Sequence, residues 1–174
     1  LRLVEAAGGA GQIWKTGHSH MKKRMKELQA PLAGEMSGHL FIADKYLGFD
    51  DAIYAAVRVI TQIVKGGQSI TAFMDSLPEQ HATPELRIDC PDTVKFDAME
   101  KIQAHVLSEH EAGDVNSIDG VRVRCGDGWW LIRASNTEAA LVARAEAADP
   151  AALDRLLGDI EATLAAAGLD WKRP

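Results

Sequence analysis

The chain has 174 residues, of which 47% are hydrophobic and 25% are charged, and its formal net charge at pH 7 is -6. Such a composition is typical of a globular protein with one medium domain or two small ones, and its acidic balance argues against nucleic acid or an anionic membrane as a general partner. No apolar run reaches the roughly 20 residues that span a bilayer, so we expect a cytoplasmic protein without a membrane partner.

The first segment, residues 1–7, has a helical pattern that ends at Gly8-Gly9, and no capping residue precedes it. We interpret this start as lying inside a domain. A short strand is predicted at residues 12–15, and a helix from Ser19 to Leu28 follows it.

A polar loop interrupts the apolar residues of the segment 32–42. It reads Gly-Glu-Met-Ser-Gly-His over residues 34–39, between two short predicted strands. Glu35 can accept hydrogen bonds from neighbouring hydroxyls of a sugar, and Ser37 and His39 can donate or accept at adjacent ring positions. An ordinary polar hairpin loop explains the same pattern, so both interpretations stay open at this point.

A long helix is predicted from Asp50 to Val64, and a shorter one follows from Ile70 to Ser76. The apolar face of the long helix consists of Ile53, Val57, Ile60 and Val64. A polar segment with two prolines, residues 77–84, then separates two different patterns. The alternation of strands and helices therefore predicts an α/β domain over residues 1–77.

The second half begins with a half-buried strand at residues 86–90 and a helix from about Thr93 to His110. The apolar stripe of that helix is predicted at Phe96, Met99, Ile102, Val106 and His110. Two Asp-Gly turns then join the strands of an antiparallel meander, and Asp149-Pro150 starts a last helix. This order predicts an α+β domain over residues 85–174.

No metal site is predicted in the chain. His105 and His110 are five residues apart and do not form the i,i+4 pair that holds a metal on a helix. Cys90 and Cys125 lie in strand-like segments without paired spacing, which favours reduced thiols over a disulfide or a zinc site.

The strand Trp129–Ile132 leads directly into Arg133 and a run of small polar residues. The planar guanidinium of Arg133 can hold two oxygens of a phosphate. Neutral donors that could approach the same anion are provided by Ser135, Asn136 and Thr137. Taken alone, such a stretch is more often an ordinary polar turn at the end of a strand.

Four motifs together resemble the α-D-phosphohexomutase family, in particular its bacterial phosphomannomutase/phosphoglucomutase branch. They occur in the family's order and approximate spacing, and they are Lys15-Thr16-Gly17-His18, Gly34–His39, Gly48-Phe49-Asp50-Asp51 and Arg133–Glu138. The resemblance implies an N-terminally incomplete third domain over residues 1–77, with a mixed sheet and helices. It also implies a fourth domain over residues 85–174, with a fold similar to that of TATA-binding protein.

The resemblance also implies roles for individual residues. Glu35 and Ser37 would bind sugar hydroxyls with His39 beside them, and His18 would lie near the reacting oxygens. The phosphate that is not transferred would be held by Arg133, Ser135, Asn136 and Thr137. The family moves phosphate between the 1- and 6-positions of a hexose through a bisphosphorylated intermediate that must reorient.

The family carries its phosphoserine loop and its magnesium-binding Asp-x-Asp-x-Asp loop in its first two domains, and neither motif occurs in this sequence. We therefore expect this chain to be the C-terminal part of a larger enzyme, which binds hexose phosphates without turning them over. Its partners would be the N-terminal domains of that parent enzyme. We expect no cofactor in this chain, and Mg²⁺ in the parent enzyme. Two alternatives stay open. One is part of a phosphoglucosamine mutase, which usually has Gln where Met36 stands, and the other is a non-catalytic phosphosugar-binding module.

Overall fold

The structure is a computed structural model that describes residues 1–173, with only the backbone of Arg2. The chain forms two compact units, Leu1–Leu77 and a second unit that begins at Pro78. We describe each unit by itself. No helix in the described part of the chain is long and apolar enough to cross a membrane.

The first unit contains four helices and a small antiparallel sheet. Its elements are α1 (Arg2–Ala6), α2 (His18–Leu28), β1 (Leu32–Gly34), β2 (Leu40–Ile42), α3 (Ala52–Gly66) and α4 (Ile70–Asp75). Strands β1 and β2 pair with each other, with Ala33 opposite Phe41, and the Phe41 side chain is fully buried. The 34–39 loop therefore connects two paired strands, as the sequence predicts.

The predicted strand at residues 12–15 is wrong, because these residues form no regular element. A strand needs a neighbour for its backbone hydrogen bonds, and β1 and β2 pair with each other. The aromatic residue of the segment, Trp14, instead packs on helix α2, where the Arg24 guanidinium lies 4.2 Å from the centre of its ring.

Helix α3 confirms the predicted long helix. It starts at the residue after Asp51, whose side chain accepts a hydrogen bond from the Tyr54 N–H at 2.9 Å. The predicted apolar face forms, but its side chains are exposed, with Ile53 at 80% and Val64 at 75% of their full exposure. The spacing of apolar residues thus predicts the helix correctly, whereas the described residues leave that face uncovered.

The second unit is a sheet with two long helices. Its elements are β3 (His81–Ala82), β4 (Leu86–Asp89), α5 (Asp92–Glu109), β5 (Val115–Asn116), β6 (Val121–Cys125), β7 (Gly128–Ala134), β8 (Ala140–Ala147) and α6 (Pro150–Ala166). The strands pair antiparallel in the order β3-β8-β7-β6-β5, and β4 also pairs with β8. The predicted meander and the helix that Asp149 caps are confirmed.

The core of the second unit lies between the sheet and helices α5 and α6. Trp130 and Ile132 alternate with more exposed residues along β7, and both are fully buried. The α5 side of this core does not include Phe96, which is 65% exposed, so its predicted place on the apolar stripe is wrong. The neighbouring Lys95 occupies that stripe, at positions i, i+4 and i+7 with Met99 and Ile102.

Candidate functional site

The polar stretch after β7 forms a tight turn, residues 135–138, that leads back into β8. Ser135 organises this turn with both its backbone and its side chain. Its N–H donates to the Ala140 carbonyl at 2.9 Å, and its Oγ accepts the N–H groups of Glu138 at 3.2 Å and Thr137 at 3.4 Å. Because Ser135 is buried and the side chains of Asn136 and Thr137 are exposed, the turn presents an amide and a hydroxyl from a fixed backbone.

Arg133 is the last but one residue of β7, the strand that leads into this turn, and it is half-buried. Its Nη1 donates to the Ala134 carbonyl at 3.3 Å. Other arginines of the sheet and of α6, such as Arg124 and Arg155, pair with aspartates. In the described part of the chain no carboxylate lies within ion-pair distance of Arg133. A guanidinium that lacks an internal counter-ion and adjoins polar donors is suited to hold an anionic oxygen pair.

Two cationic side chains outside the sequence motifs contact the 135–138 turn and hold it in place. The Lys95 ammonium donates to the carbonyls of Ser135 and Glu138, each at 2.9 Å. The Arg87 guanidinium pairs with the Glu138 carboxylate and holds the pKa of that carboxyl below its usual value. In the sequence, a lysine at a core position of α5 is the signal that could have indicated the Lys95 contact. No local signal indicates the pairing of Arg87 with Glu138.

Gly120 lies directly against the strand that carries Arg133. Its φ of +69° is in the left-handed region, and a Cβ at this position would lie 2.2 Å from the Ile132 carbonyl oxygen and 2.6 Å from the Arg133 Cα. The sequence identifies Gly120 as a turn residue only. Its close approach to β7 depends on the pairing of β6 with β7, which a turn motif alone does not report.

The 34–39 loop of the first unit is closed by its own backbone. The Glu35 N–H donates to the His39 carbonyl at 2.9 Å, and the Gly38 N–H donates to the Glu35 carbonyl at 3.0 Å. Ser37 Oγ and His39 Nδ1 are 2.8 Å apart, and Glu35 Oε2 lies 3.8 Å from the same ring nitrogen. The loop therefore brings together the three side chains that the sequence predicts to bind a sugar.

Glu35 also joins this loop to the start of helix α2. Its Oε1 accepts the N–H of Gly17 at 2.7 Å, and Gly17 is the residue before His18, where α2 begins. The side chains of Ser37, His39 and His18 are exposed. One carboxylate oxygen thus fixes the entry to α2, and the acceptor capacity that remains on Glu35 can meet a hydroxyl.

The described residues contain no group of three or more His, Cys, Asp or Glu side chains that could hold a metal ion. We assign no magnesium ligand among these residues.

Two models of known protein domains match the chain. The model described as phosphoglucomutase/phosphomannomutase, alpha/beta/alpha domain III, matches residues 1–81. The model described as phosphoglucomutase/phosphomannomutase, C-terminal domain, matches residues 85–163.

Individual proteins are similar over most of this chain. A phosphomannomutase/phosphoglucomutase of Pseudomonas putida is 44% identical over 88% of the chain and 33% of its own length. One of Pseudomonas syringae is 40% identical over 99% of the chain and 37% of its own length. The crystal structure of a phosphoglucomutase/phosphomannomutase family protein from Burkholderia thailandensis has a TM-score of 0.85 at 38% identity, and the match covers 97% of this chain and 36% of that protein. The chain thus spans about a third of the length of these relatives.

Proposed function

The chain belongs to the phosphoglucomutase/phosphomannomutase family, and from that premise we propose that it is the substrate-binding part of a larger enzyme. That enzyme interconverts hexose 1-phosphates and hexose 6-phosphates through a bisphosphorylated intermediate, with mannose and glucose phosphates as substrates. The names of the relatives with the higher identities support this choice of hexoses.

The observation that carries this proposal is the half-buried Arg133 without a carboxylate partner in the described residues, next to the 135–138 turn. We assign to it the phosphate of the substrate that is not being transferred. Two guanidinium N–H groups can donate to two phosphate oxygens in parallel, and the Ser135 hydroxyl, the Asn136 amide and the Thr137 hydroxyl can supply further donors. A phosphate at C1 and a phosphate at C6 carry the same set of terminal oxygens, so one phosphate-binding site can bind either substrate.

Under the same proposal, the 34–39 loop binds the hydroxyls of the hexose. Glu35 accepts from neighbouring hydroxyls, and Ser37 and His39 exchange hydrogen bonds with the adjacent ones. Recognition of hydroxyls rather than of either phosphate would let the intermediate bind in both orientations, which a reorienting mechanism requires. His18, at the start of α2, would lie near the reacting oxygens.

The transfer step itself is assigned to other parts of the enzyme. The family carries its phosphoserine and its Mg²⁺ ligands in domains I and II, and Mg²⁺ supplies charge stabilisation to phosphoryl transfer when bound there. We therefore expect this chain alone to bind hexose phosphates without converting them, so that binding is the property to measure.

The test is a heteronuclear NMR titration of the chain with glucose 1-phosphate, mannose 1-phosphate and glucosamine 1-phosphate. We expect the resonances of Arg133 and of the 135–138 turn to move with each sugar phosphate. Arg133→Ala should weaken binding at least about tenfold, because it removes a charge-assisted bidentate contact. Arg124→Ala is the matched control, since it removes the same charge from the neighbouring strand β6.

Equal affinity of the Arg133→Ala and Arg124→Ala variants would contradict the assignment of the phosphate clamp. A clear preference for glucosamine 1-phosphate over the other two ligands would instead favour a phosphoglucosamine mutase as the parent enzyme.

A further inference from the structure

A lysine lies where helix α5 faces the core. Lys95 is 4% exposed and shares its face with Met99, Ile102 and Val106, all of them buried. A buried ammonium is costly unless its N–H groups are hydrogen-bonded and its charge is compensated. The position therefore requires partners that an aliphatic side chain of similar size would not need.

Three acceptors surround the Lys95 ammonium. Asp92 Oδ1 lies at 2.6 Å, and the carbonyl oxygens of Ser135 and Glu138 lie at 2.9 Å each. An ammonium group has three N–H donors, and these three contacts use all of them. Lys95 thus has no donor left for a bound phosphate, which excludes a direct ligand role and leaves an action through the 135–138 turn.

The two carbonyls are those of the first and last residues of the turn. In a trans peptide the C=O of one residue and the N–H of the next point in opposite directions, and the described part of the chain contains no cis peptide. Because the Ser135 carbonyl points towards the buried ammonium, the Asn136 N–H of the same peptide points away from it, and residue Asn136 is exposed. The N–H groups of Thr137 and Glu138 remain on Ser135 Oγ.

We propose that Lys95 is a positioning residue for phosphate binding, which fixes both ends of the 135–138 turn from the core side so that the Asn136 N–H and the exposed side chains face the ligand. The proposal rests on the phosphate clamp proposed above. Asp92 compensates the ammonium charge from the solvent side, where its side chain is 70% exposed.

The experiment compares two lysines of the same helix. Lys95→Met removes the ammonium and keeps an unbranched side chain, and Lys101→Met makes the same substitution at an exposed position of α5. In the absence of ligand, we expect the amide resonances of residues 136–138 to shift and their hydrogen exchange to accelerate in Lys95→Met alone. Binding of glucose 1-phosphate should weaken about tenfold in that variant and stay unchanged in Lys101→Met.

A third variant separates positioning from general stability. Val106→Ala removes core volume from the same face of α5. It lies about three helical turns from Lys95 and so from the contacts with residues 135–138. We expect it to lower the unfolding midpoint while the folded protein keeps its resonances at 136–138 and its affinity for glucose 1-phosphate. If Lys95→Met and Val106→Ala change affinity equally at equal folded fraction, the positioning role is overturned.

The unaltered chain gives a test that survives if Lys95→Met does not fold. NMR of the Lys95 ammonium should show slowly exchanging protons with couplings across hydrogen bonds to the carbonyl carbons of Ser135 and Glu138. A freely exchanging ammonium would overturn the proposal. Failure of the unaltered chain to bind glucose 1-phosphate would overturn the proposed function instead, and the ligand-free comparison of the turn amides would still decide whether Lys95 positions the turn.

Discussion

The two candidate binding segments have the same arrangement in sequence and different support in the structure. The 34–39 loop joins two strands of three residues each, and its closing hydrogen bonds come mainly from its own backbone. The 135–138 turn joins strands of seven and eight residues. The buried Lys95 donates hydrogen bonds to its first and last carbonyl oxygens, and Arg87 pairs with the carboxylate of its last residue. The first segment is closed chiefly by its own backbone, whereas the second has, besides its local hydrogen bonds, contacts from two distant cationic side chains of its unit.

This difference fits the chemistry that we propose for the two segments. A phosphate clamp must hold donors at fixed positions around a small, highly charged group, and a rigid support lowers the cost of ordering them on binding. Sugar hydroxyls are neutral, each can donate or accept, and exposed side chains such as those of Ser37 and His39 can adjust to them. Changes at supporting positions should therefore have larger effects near the 135–138 turn.

The largest expected effect is that of Gly120→Ala. The added Cβ would meet the backbone of Ile132 and Arg133 at distances that require β7 to move, and the left-handed φ adds strain. We expect a loss of about 3 kcal/mol or more in the free energy of unfolding of the second unit. Urea unfolding followed by tryptophan fluorescence measures it.

Gly126→Ala is the control in the neighbouring hairpin, where no described atom lies within 4 Å of the added Cβ, and it should change stability little. In the 34–39 loop, Gly38→Ala has a left-handed φ but equally open space among described atoms, so about 1 kcal/mol is expected from strain alone. If Gly38→Ala cost as much as Gly120→Ala, the contrast between the two segments would be lost.

Sequence patterns predicted most of the elements because the relevant signals are local. Asp149-Pro150 starts α6, and the Asp-Gly turns separate the strands of the meander. The predicted family and fold class are confirmed by the domain models and the similar crystal structure. The predicted strand at residues 12–15 is wrong because strand formation depends on a partner elsewhere in the chain. The predicted buried position of Phe96 is wrong because a shift of one residue rotates the side chain by about 100° around the helix.

The sequence predicts the candidate binding residues, but it does not predict the contacts that hold these residues in place. The 34–39 loop does bring Glu35, Ser37 and His39 together, whereas their binding of a sugar stays a prediction. The braces of the 135–138 turn join residues that are 40 to 51 positions apart, and only the folded sheet brings them into contact. A lysine among buried apolar positions of α5 was the one local signal of this arrangement.

An intermediate effect is expected for Glu35→Ala in the first unit. The substitution removes the charge-assisted acceptor of the Gly17 N–H, whose donor–acceptor distance is 2.7 Å, and should cost about 1–2 kcal/mol locally. Hydrogen exchange of the Gly17 amide should accelerate accordingly. Ser37→Ala, at an exposed neighbouring position, should leave that amide unchanged, and equal acceleration in both variants would show that Glu35 does not fix the start of α2.

The smallest expected effect is a pH dependence of the 135–138 turn. Arg87 lowers the pKa of the Glu138 carboxyl through their hydrogen bond and its positive charge. Because the folded-state pKa lies below the unfolded one, of about 4.3, the ion pair contributes fully above that value and is lost as the pH falls through the folded-state pKa. Carboxyl-carbon NMR should therefore give Glu138 a titration midpoint below that of an unstructured glutamate.

Arg87→Gln should raise the Glu138 midpoint towards the ordinary value and increase amide exchange at the end of the turn. The Asp51 carboxyl is the reference in the first unit, because its pKa is lowered by hydrogen bonds from the Tyr46 hydroxyl and the Tyr54 N–H rather than by an arginine. Its midpoint should be the same in both proteins. An unmoved Glu138 midpoint would contradict the assignment of its lowered pKa to Arg87. Unchanged amide exchange would mean that Lys95 and the backbone hold the turn without this exposed ion pair, which solvent screens.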